Sequence, residues 1–333
     1  MRRREFIALL GGAAAAPVVV IRVAAQQTAK LPRVGLLAPG RPDAAPTSFI
    51  IRSLNAFREA LRDLGYVERQ NVELLIRWDE GQIERNKKHA IDLVDAGVDV
   101  IVANTTPTTF AAREATRVIP IVAGAFGGGD PVQLGLAESL GRPAGNIPGI
   151  VLQTHLLPGK RLQLMKEAVP NISQIALFWS DPLTFPKQDY DTAARTLNMQ
   201  LYPIEVDGPE AFESNFQKAK ELRANAVILS QGSFFALHAA QIAELALRHH
   251  LPTMSGETGF AALGGFMNYG PDIVDAWRHS ATYVDRILKG AKPADLPIEQ
   301  TVRFEFAINL NTAKALGLTI PSGLISIADE VID

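Results

Sequence analysis

Short polar segments follow several apolar runs of the chain, and they hold the side chains best suited to bind a small molecule. Thr105 and Thr106 follow one such run and begin a helix-like stretch, where hydroxyls and unpaired backbone N–H groups can hold a carboxylate. The alternative interpretation is an ordinary helix N-cap. In the second half of the chain, Trp179, Gln231 and Ser233 follow apolar runs in the same way. In open parallel sheets, ligands bind beyond such strand ends, so these residues are candidate ligand contacts.

Aromatic and acidic candidates each have two interpretations. Trp179 can stack on a flat ligand, or it can cover the core of its own lobe. Glu257 can pair with a ligand ammonium, or it can be a solvated loop carboxylate. Tyr269 lies where the chain is expected to pass back towards its first half. We therefore treat Glu257 and Tyr269 as candidates at the rim of a site.

Sequence motifs for catalysis, metal binding and nucleotide binding are missing. The chain has no cysteine, no H-E-x-x-H motif and no histidine and carboxylate cluster with metal spacing. Residues 231–235 fail the serine-hydrolase motif G-x-S-x-G at its last position. The glycine-rich segment 124–131 has neither G-x-G-x-x-G spacing nor a Walker lysine. We expect no catalytic residue, no metal and no cofactor.

The composition is that of an ordinary globular protein. The 333 residues predict about two domains, and 47% hydrophobic with 20% charged residues disfavours disorder, a coiled coil or a polytopic membrane protein. A formal net charge of −2 provides no broad basic surface for phosphate backbones. We therefore do not expect a nucleic-acid partner.

Residues 1–25 have the order of an export signal. Arg2, Arg3 and Arg4 precede Glu5-Phe6-Ile7 and an apolar, alanine-rich run, and the paired arginines resemble the twin-arginine export motif. That run has about 14 residues, fewer than the roughly 20 that a transmembrane helix needs. We expect cleavage near Ala25 and a periplasmic location; the alternative is an uncleaved membrane anchor.

Cleavage at that position would change the charge of the chain. It removes four of the 33 basic residues and one of the 35 acidic residues, so the mature chain carries a net charge of about −5. Because no cysteine is present, a lipid anchor on an N-terminal cysteine is excluded. We expect a freely diffusing monomer.

Apolar runs alternate with amphipathic stretches along residues 31–333, which predicts parallel strands joined by helices. Strands are predicted at 33–38, 71–76, 99–103, 120–123, 174–179, 200–204, 226–229, 252–254, 265–270 and 301–306. Helices are predicted at 49–64, 83–94, 106–117, 158–168, 190–197, 209–222, 237–249 and 272–288. The pattern restarts after a glycine- and proline-rich passage at 141–149, which indicates two α/β lobes. Too few elements remain at the end for a third lobe, so the chain must cross between the lobes more than once and form a hinge.

Motifs spread over nearly the whole chain resemble the periplasmic substrate-binding proteins of ABC transporters, of the tryptophan/tyrosine-binding type. The segments that carry the resemblance are the twin-arginine leader and residues 64–68, 78–81, 98–103, 119–122, 129–132, 161–170, 269–271, 281–297 and 309–318. The resemblance implies a type I periplasmic-binding fold, with two doubly wound parallel-sheet lobes joined by a three-strand hinge. It implies lobe 1 at 31–151 and 256–298, and lobe 2 at 152–255 and 299–333.

The same resemblance implies that the protein closes over a small molecule and presents it to a membrane permease. The implied cleft residues are Thr105, Thr106, Phe126, Gly128 and Asp130 from lobe 1, and Trp179, Gln231 and Ser233 from lobe 2, with Glu257 and Tyr269 at the rim or hinge. Loops 104–107, 125–129 and 180–186 differ from commoner family versions, so the ligand does not follow from the resemblance. The remaining alternatives are an exported α/β enzyme and a ligand sensor without a transporter.

Overall fold

The computed structural model describes residues 31–44, 48–127, 130–143, 145–154, 157–182, 185–301 and 303–333. The predicted export signal at 1–25 and the candidate Gly128 lie outside these residues. In the described part of the chain, no helix is both long enough and apolar enough to cross a membrane.

Strands and helices alternate along most of the chain. The strands are β1 (Arg33–Ala38), β2 (Glu73–Trp78), β3 (Val100–Ala103), β4 (Ile121–Phe126), β5 (Ala137–Ser139), β6 (Arg142–Pro143), β7 (Gly149–Val151), β8 (Gln174–Trp179), β9 (Gln200–Glu205), β10 (Ala226–Leu229), β11 (Thr253–Ser255), β12 (Met267–Pro271), β13 (Ile298–Gln300), β14 (Phe304–Asn309) and β15 (Glu330–Ile332). The helices are α1 (Phe49–Asp63), α2 (Arg85–Asp95), α3 (Thr106–Ala115), α4 (Leu157–Ala168), α5 (Lys187–Thr196), α6 (Phe212–Glu221), α7 (Ser233–Leu237), α8 (Ala239–Arg248), α9 (Ile273–Leu288), α10 (Leu310–Ala315) and α11 (Ser322–Ile327).

Lobe 1 is built on a six-stranded sheet in the order β13-β7-β4-β3-β1-β2, and all of its strand pairs are parallel. Its strands are apolar on both faces because helices cover both. Helices α1 and α9 pack on one face, where Phe57 and Trp277 are buried. Helices α2 and α3 cover the other face through Leu93 and Ala112. This double cover is the reason that continuous apolar runs, rather than alternating ones, predict these strands.

Lobe 2 is built on a seven-stranded sheet in the order β15-β14-β12-β11-β10-β8-β9. Its strands pair in parallel except β12 and β14, which are antiparallel. One face packs against α4 and α5, and the other packs against α6 and α8. The predicted architecture of two α/β lobes is confirmed, and β1, β8 and β10 have the predicted ends.

The chain passes between the two sheets three times: from β7 to α4, from β12 to α9, and from β13 to β14. The second crossing corrects the predicted boundary at residue 256. Strand β12 pairs with β11 and β14 in the lobe 2 sheet, with Met254 opposite Met267, so the chain returns to lobe 1 only after Pro271. The third crossing follows Gln300 rather than residue 298, because all of β13 pairs with β7.

The passage at 141–149 holds structure that the sequence pattern does not reveal. Strand β6 pairs with β5, which directly precedes the passage, in a small antiparallel sheet, and β7 lies between β13 and β4, second from the edge of the lobe 1 sheet. These strands are two or three residues long, so they are too short for a periodic apolar pattern. Short length also explains why four further elements were not predicted. They are helices α7, α10 and α11, of five or six residues each, and strand β15.

A substitution at the second crossing tests how tightly the backbones pack there. A Cβ atom on Gly270 would overlap the carbonyl oxygen of Gly256, which belongs to the backbone and cannot rotate away. We expect Gly270→Ala to lower the free energy of unfolding by about 1–3 kcal/mol, measured by urea denaturation. The matched control is Gly323→Ala in α11, where a Cβ meets nothing within 4 Å. That change should leave stability unchanged or raise it by up to about 1 kcal/mol; equal effects of the two substitutions would contradict the packing described.

Candidate functional site

A cleft of about 760 Å³, partly open to solvent, lies between the two sheets. The lobe 1 side is lined by Pro39, Phe49, Ile50, Ile83, Asn104, Thr105, Thr106, Pro107, Ala125, Gly127, Leu152, Thr154, Ile273 and Trp277. The lobe 2 side is lined by Ser180, Asp181, Gln231, Gly232, Ser233, Phe234 and Glu257. The lobe 2 residues follow the carboxyl ends of β8, β10 and β11, and most of the lobe 1 residues follow strand ends in the same way.

Apolar side chains dominate the lobe 1 wall. Phe49 and Ile50 come from the first turn of α1, and Ile273 and Trp277 come from the start of α9, which packs beside α1. Leu152, which follows β7, lines the same wall and belongs to the same buried cluster as Ile273 and Trp277. Such a wall favours a ligand with an apolar or aromatic body.

The start of α3 is held by its own side chains. The Thr105 hydroxyl caps the helix by accepting a hydrogen bond from the Thr108 N–H, and the Thr108 hydroxyl accepts from the Thr105 N–H. The Thr106 hydroxyl donates to the Gly127 carbonyl and accepts from its N–H at 3.2 Å, so it ties α3 to the end of β4. Pro107 has no N–H to offer. Thr105 and Thr106 therefore line the cleft, but their hydroxyls already have partners, and the N-cap interpretation describes Thr105.

Arg161 organises the lobe 2 wall from behind. Its side chain is buried, with 1% of the residue exposed, and its guanidinium donates to the Tyr269 carbonyl at 2.8 Å, the Tyr190 hydroxyl at 3.3 Å and Gln231 Oε1 at 3.0 Å. It also packs against the backbone of Gly256, where an added Cβ would lie 2.7 Å from the guanidinium. Arg161 thus connects α4 to the segments that follow β10 and β11.

The orientation of Gln231 follows from this contact. Because its Oε1 accepts from Arg161, its Nε2 is the atom left to donate a hydrogen bond into the cleft. Sequence analysis did not select Arg161 as a site residue. The available signal was an arginine on the buried face of a helix, in line with Leu157, Met165 and Ala168.

Glu257 is a buried carboxyl on the cleft wall, with 3% of the residue exposed. Its Oε1 accepts a hydrogen bond of 2.7 Å from the Gly232 N–H, which fixes the loop before α7. Burial raises the pKa of Glu257, while the bond from Gly232 and the charge of Arg161 act in the opposite direction. The solvated-carboxylate interpretation of Glu257 is therefore wrong. Among the described cleft residues, the acidic or basic side chains are Glu257 and Asp181.

The two lobes touch beside the cleft. Leu237 of α7 lies so close to Gly40, at the end of β1, that a Cβ on Gly40 would be 2.9 Å from a methyl group of Leu237. Gly40 is in turn held by its N–H, which donates to Asp79 Oδ1 at 2.8 Å. The loop that ends β1 and the short helix that follows Gln231 therefore form a contact between the lobes.

Five of the predicted ligand contacts line the cleft together: Thr105, Thr106, Gln231, Ser233 and Glu257. The other described candidates face elsewhere. Phe126 is 1% exposed and packs in the lobe 1 core, with its ring centre 6.3 Å from that of Phe110. Asp130 is exposed, and its side chain accepts from the Val132 N–H. Both were assigned to the cleft by resemblance alone.

Trp179 and Tyr269 are also absent from the described lining of the cleft. The Trp179 ring stacks on Phe185, with ring centres 5.2 Å apart. The Tyr269 ring stacks on Phe304, and its carbonyl accepts from Arg161. Tyr269 thus acts through its backbone at the second crossing.

Several residues that line the cleft were not selected as contacts from the sequence, among them Asn104, Ser180, Asp181, Phe234 and Trp277. The first three belong to the segments directly after β3 and β8, where the sequence does predict ligand-binding loops. Trp277 lies one helical turn after Ile273 and would have required knowing that α9 packs on lobe 1. No group of three or more histidine, aspartate or glutamate side chains in the described ranges is arranged to hold a metal ion.

Comparison with known proteins decides the family. The family model described as "ABC transporter substrate binding protein" matches residues 50–332. The chain belongs to this family. A curated relative, the tyrosine-binding protein of Clostridioides difficile strain R20291, is 24% identical over 269 residues, which are 80% of this chain and 77% of the relative.

Solved structures of other proteins share the fold of this family member. The ABC domain from Streptococcus pneumoniae in complex with L-Trp superposes with a TM-score of 0.79 at 22% identity, covering 91% of this chain and 100% of that chain. A conserved domain protein from Vibrio cholerae O1 gives a TM-score of 0.79 at 23% identity with the same coverage. The expected periplasmic-binding fold is confirmed by these likenesses. The family and the curated relative are substrate-binding proteins.

The raised pKa of Glu257 predicts that the stability of the protein depends on pH, and a substitution of Glu257 should reduce this dependence. Because the folded protein holds this proton where the unfolded chain has lost it, the free energy of unfolding should fall as pH rises above the ordinary carboxyl value of 4.5. We expect Glu257→Gln, which keeps an acceptor for Gly232, to reduce this fall between about pH 5 and pH 8, because an amide does not titrate. Urea denaturation at both pH values measures it. Identical pH profiles for the two proteins would show that burial does not perturb Glu257.

Proposed function

We propose that this chain is the extracytoplasmic solute-binding protein of an ABC importer, which closes its two lobes over a small organic ligand and delivers it to the membrane permease. The ligand is an amino acid or another aromatic or carboxylate-bearing compound. The observation that carries the proposal is a cleft of about 760 Å³ lined from both lobes at the ends of parallel strands. A ligand that contacts both walls stabilises the closed arrangement relative to the open one.

The walls of the cleft favour a ligand with an apolar body and a polar head. Phe49, Ile50, Leu152 and Trp277 supply an apolar surface, and Gln231 supplies a hydrogen-bond donor from the opposite side. The relatives support aromatic amino acids as the first compounds to test, since one is described as tyrosine-binding and another was solved with L-Trp. Their low identity to this chain leaves the ligand to experiment.

A screen of candidate ligands separates a receptor from an exported enzyme. We expect one or more of L-tryptophan, L-tyrosine, aromatic acids, small peptides and nucleosides to raise the melting temperature, because binding at 100 times Kd adds about 2.7 kcal/mol to the stability of the folded state. Chromatography should recover the stabilising compound intact. Formation of product would overturn the receptor proposal and favour the enzyme.

Two glutamine variants locate the binding. Gln231→Ala should reduce the ligand-induced rise in melting temperature, because the hydrogen-bond donor on the cleft wall is lost. Gln300→Ala, at an exposed position of β13, should keep the full rise. Equal ligand-induced rises in the melting temperatures of the two variants would place binding outside the cleft.

An uptake experiment separates a component of an importer from a sensor. If cells that lack the permease no longer take up the same compound, the importer is supported.

Export through the twin-arginine route is the remaining part of the proposal, and it rests on residues 1–25 of the sequence. We expect protein isolated from the periplasm to begin at or near Gln26, and the double substitution Arg3→Lys and Arg4→Lys to keep the uncleaved chain in the cytoplasm. N-terminal sequencing of the two cell fractions measures both. Full-length chain in the membrane fraction would instead support the uncleaved anchor.

A further inference from the structure

Asn104 is a buried polar residue on the cleft wall whose amide has no partner among the described residues. It is 2% exposed and directly follows β3, and neither its Oδ1 nor its Nδ2 makes a hydrogen bond there. It lines the cleft together with Trp277 and Ile273. Buried amides in folded proteins are almost always paired, so this position calls for an explanation.

The described residues around Asn104 leave room for its side-chain amide but form no hydrogen bond with it. Residues 103 and 123 are opposite each other in β3 and β4, so Asn104 lies beside Gly124. A Cβ on Gly124 would overlap Oδ1 of Asn104, so any larger residue would displace the amide. Ser280 of α9 lies on the same side, but its hydroxyl donates to the Trp277 carbonyl.

Two other buried asparagines, Asn268 and Asn309, are paired at both amide atoms, whereas Asn86 has an Nδ2 without a partner in the described ranges but does not line the cleft. Asn268 is 0% exposed; its Nδ2 donates to Glu305 and its Oδ1 accepts from the Ala261 N–H. Asn309 is 5% exposed and is paired at both amide atoms, with the Ala261 carbonyl and the Thr312 N–H. Asn104 differs from both in that neither of its amide atoms is paired with a described residue and in that the residue belongs to the cleft lining.

We propose that Asn104 is the residue with which lobe 1 recognises the polar head of the ligand, and that this head donates and accepts hydrogen bonds side by side. The inference rests on the proposed function and adds the chemical class of the group bound. A primary amide offers a donor and an acceptor side by side on one carbon, so its complement is a carboxamide, a nucleobase edge or the ammonium and carboxylate of an α-amino acid. A carboxylate alone pairs with Nδ2 and leaves Oδ1 facing an anion.

The opposite wall fits the same head. Gln231 Nε2 is free to donate, and the carboxyl groups of Glu257 and Asp181 lie on the lobe 2 side. A head with both donors and acceptors can therefore bridge Asn104 and lobe 2, with its apolar body against Phe49 and Trp277. This bridging ties recognition by Asn104 to closure of the lobes.

The first test needs no ligand. Asn104→Leu replaces the amide by an apolar group of the same branching, and its matched control is Asn268→Leu. We expect the melting temperature of ligand-free Asn104→Leu to be the same as that of the wild type or up to about 2 °C higher. The reason is that the substitution removes an unpaired buried amide. The melting temperature of Asn268→Leu should fall, because Glu305 and the Ala261 N–H lose their partner. A fall of similar size in both variants would show that Asn104 is structural and would overturn the inference.

The second test uses L-tryptophan, which has an ammonium and a carboxylate, and indole-3-propionate, which lacks the amine. Calorimetric titration should show that Asn104→Leu weakens binding of L-tryptophan at least about tenfold and that of indole-3-propionate less. An unchanged Kd for L-tryptophan would overturn the role of Asn104. If neither compound binds the wild-type protein, the proposed aromatic ligand class fails, whereas the melting temperatures still decide whether Asn104 is kept at a cost to stability.

Discussion

Parallel strands impose the constraint on which the rest of this structure depends. When every strand of a sheet runs the same way, each helix that follows starts at one edge, and its polar first turn is placed there with the loop before it. Both sheets of this protein follow the rule around the cleft, which is lined by Thr105 after β3 and by Gln231 after β10. The interiors of the lobes stay apolar, and the polar chemistry collects where a ligand can reach it from both sides.

In lobe 2, a buried charged side chain holds the segments at this edge of the sheet in place. Arg161 gives three hydrogen bonds to acceptors on three different segments. A hydrogen bond to a charged group contributes about 1.5–3 kcal/mol, so the guanidinium fixes these segments relative to one another. One of the acceptors is the Tyr269 carbonyl on β12, directly before the second crossing between the lobes. The same residue therefore positions a cleft side chain and a strand that leads into the hinge.

Local pattern predicted most of the fold, and five of the nine candidate contacts that the structure describes line the cleft. Runs such as 33–38 and 226–229 are buried on both faces, so the strands match the sequence pattern. The sheet that a strand joins depends on contacts distant in sequence, and β12 was therefore assigned to the wrong lobe. Side-chain direction has the same limit: Phe126 ends a cleft-facing strand, yet points into the core, and Trp179 stacks on Phe185. The positions of Arg161 on α4 and of Asn104 after β3 can be predicted from the sequence, but the burial of their side chains cannot.

The central claim is that one ligand contacts both walls of the cleft. A crystal structure of the protein with the compound that stabilises it most tests this directly. We predict that the polar head of the compound lies between Asn104 and Gln231, with its apolar body against Trp277. A compound bound to one lobe alone, or outside the cleft, would contradict the account.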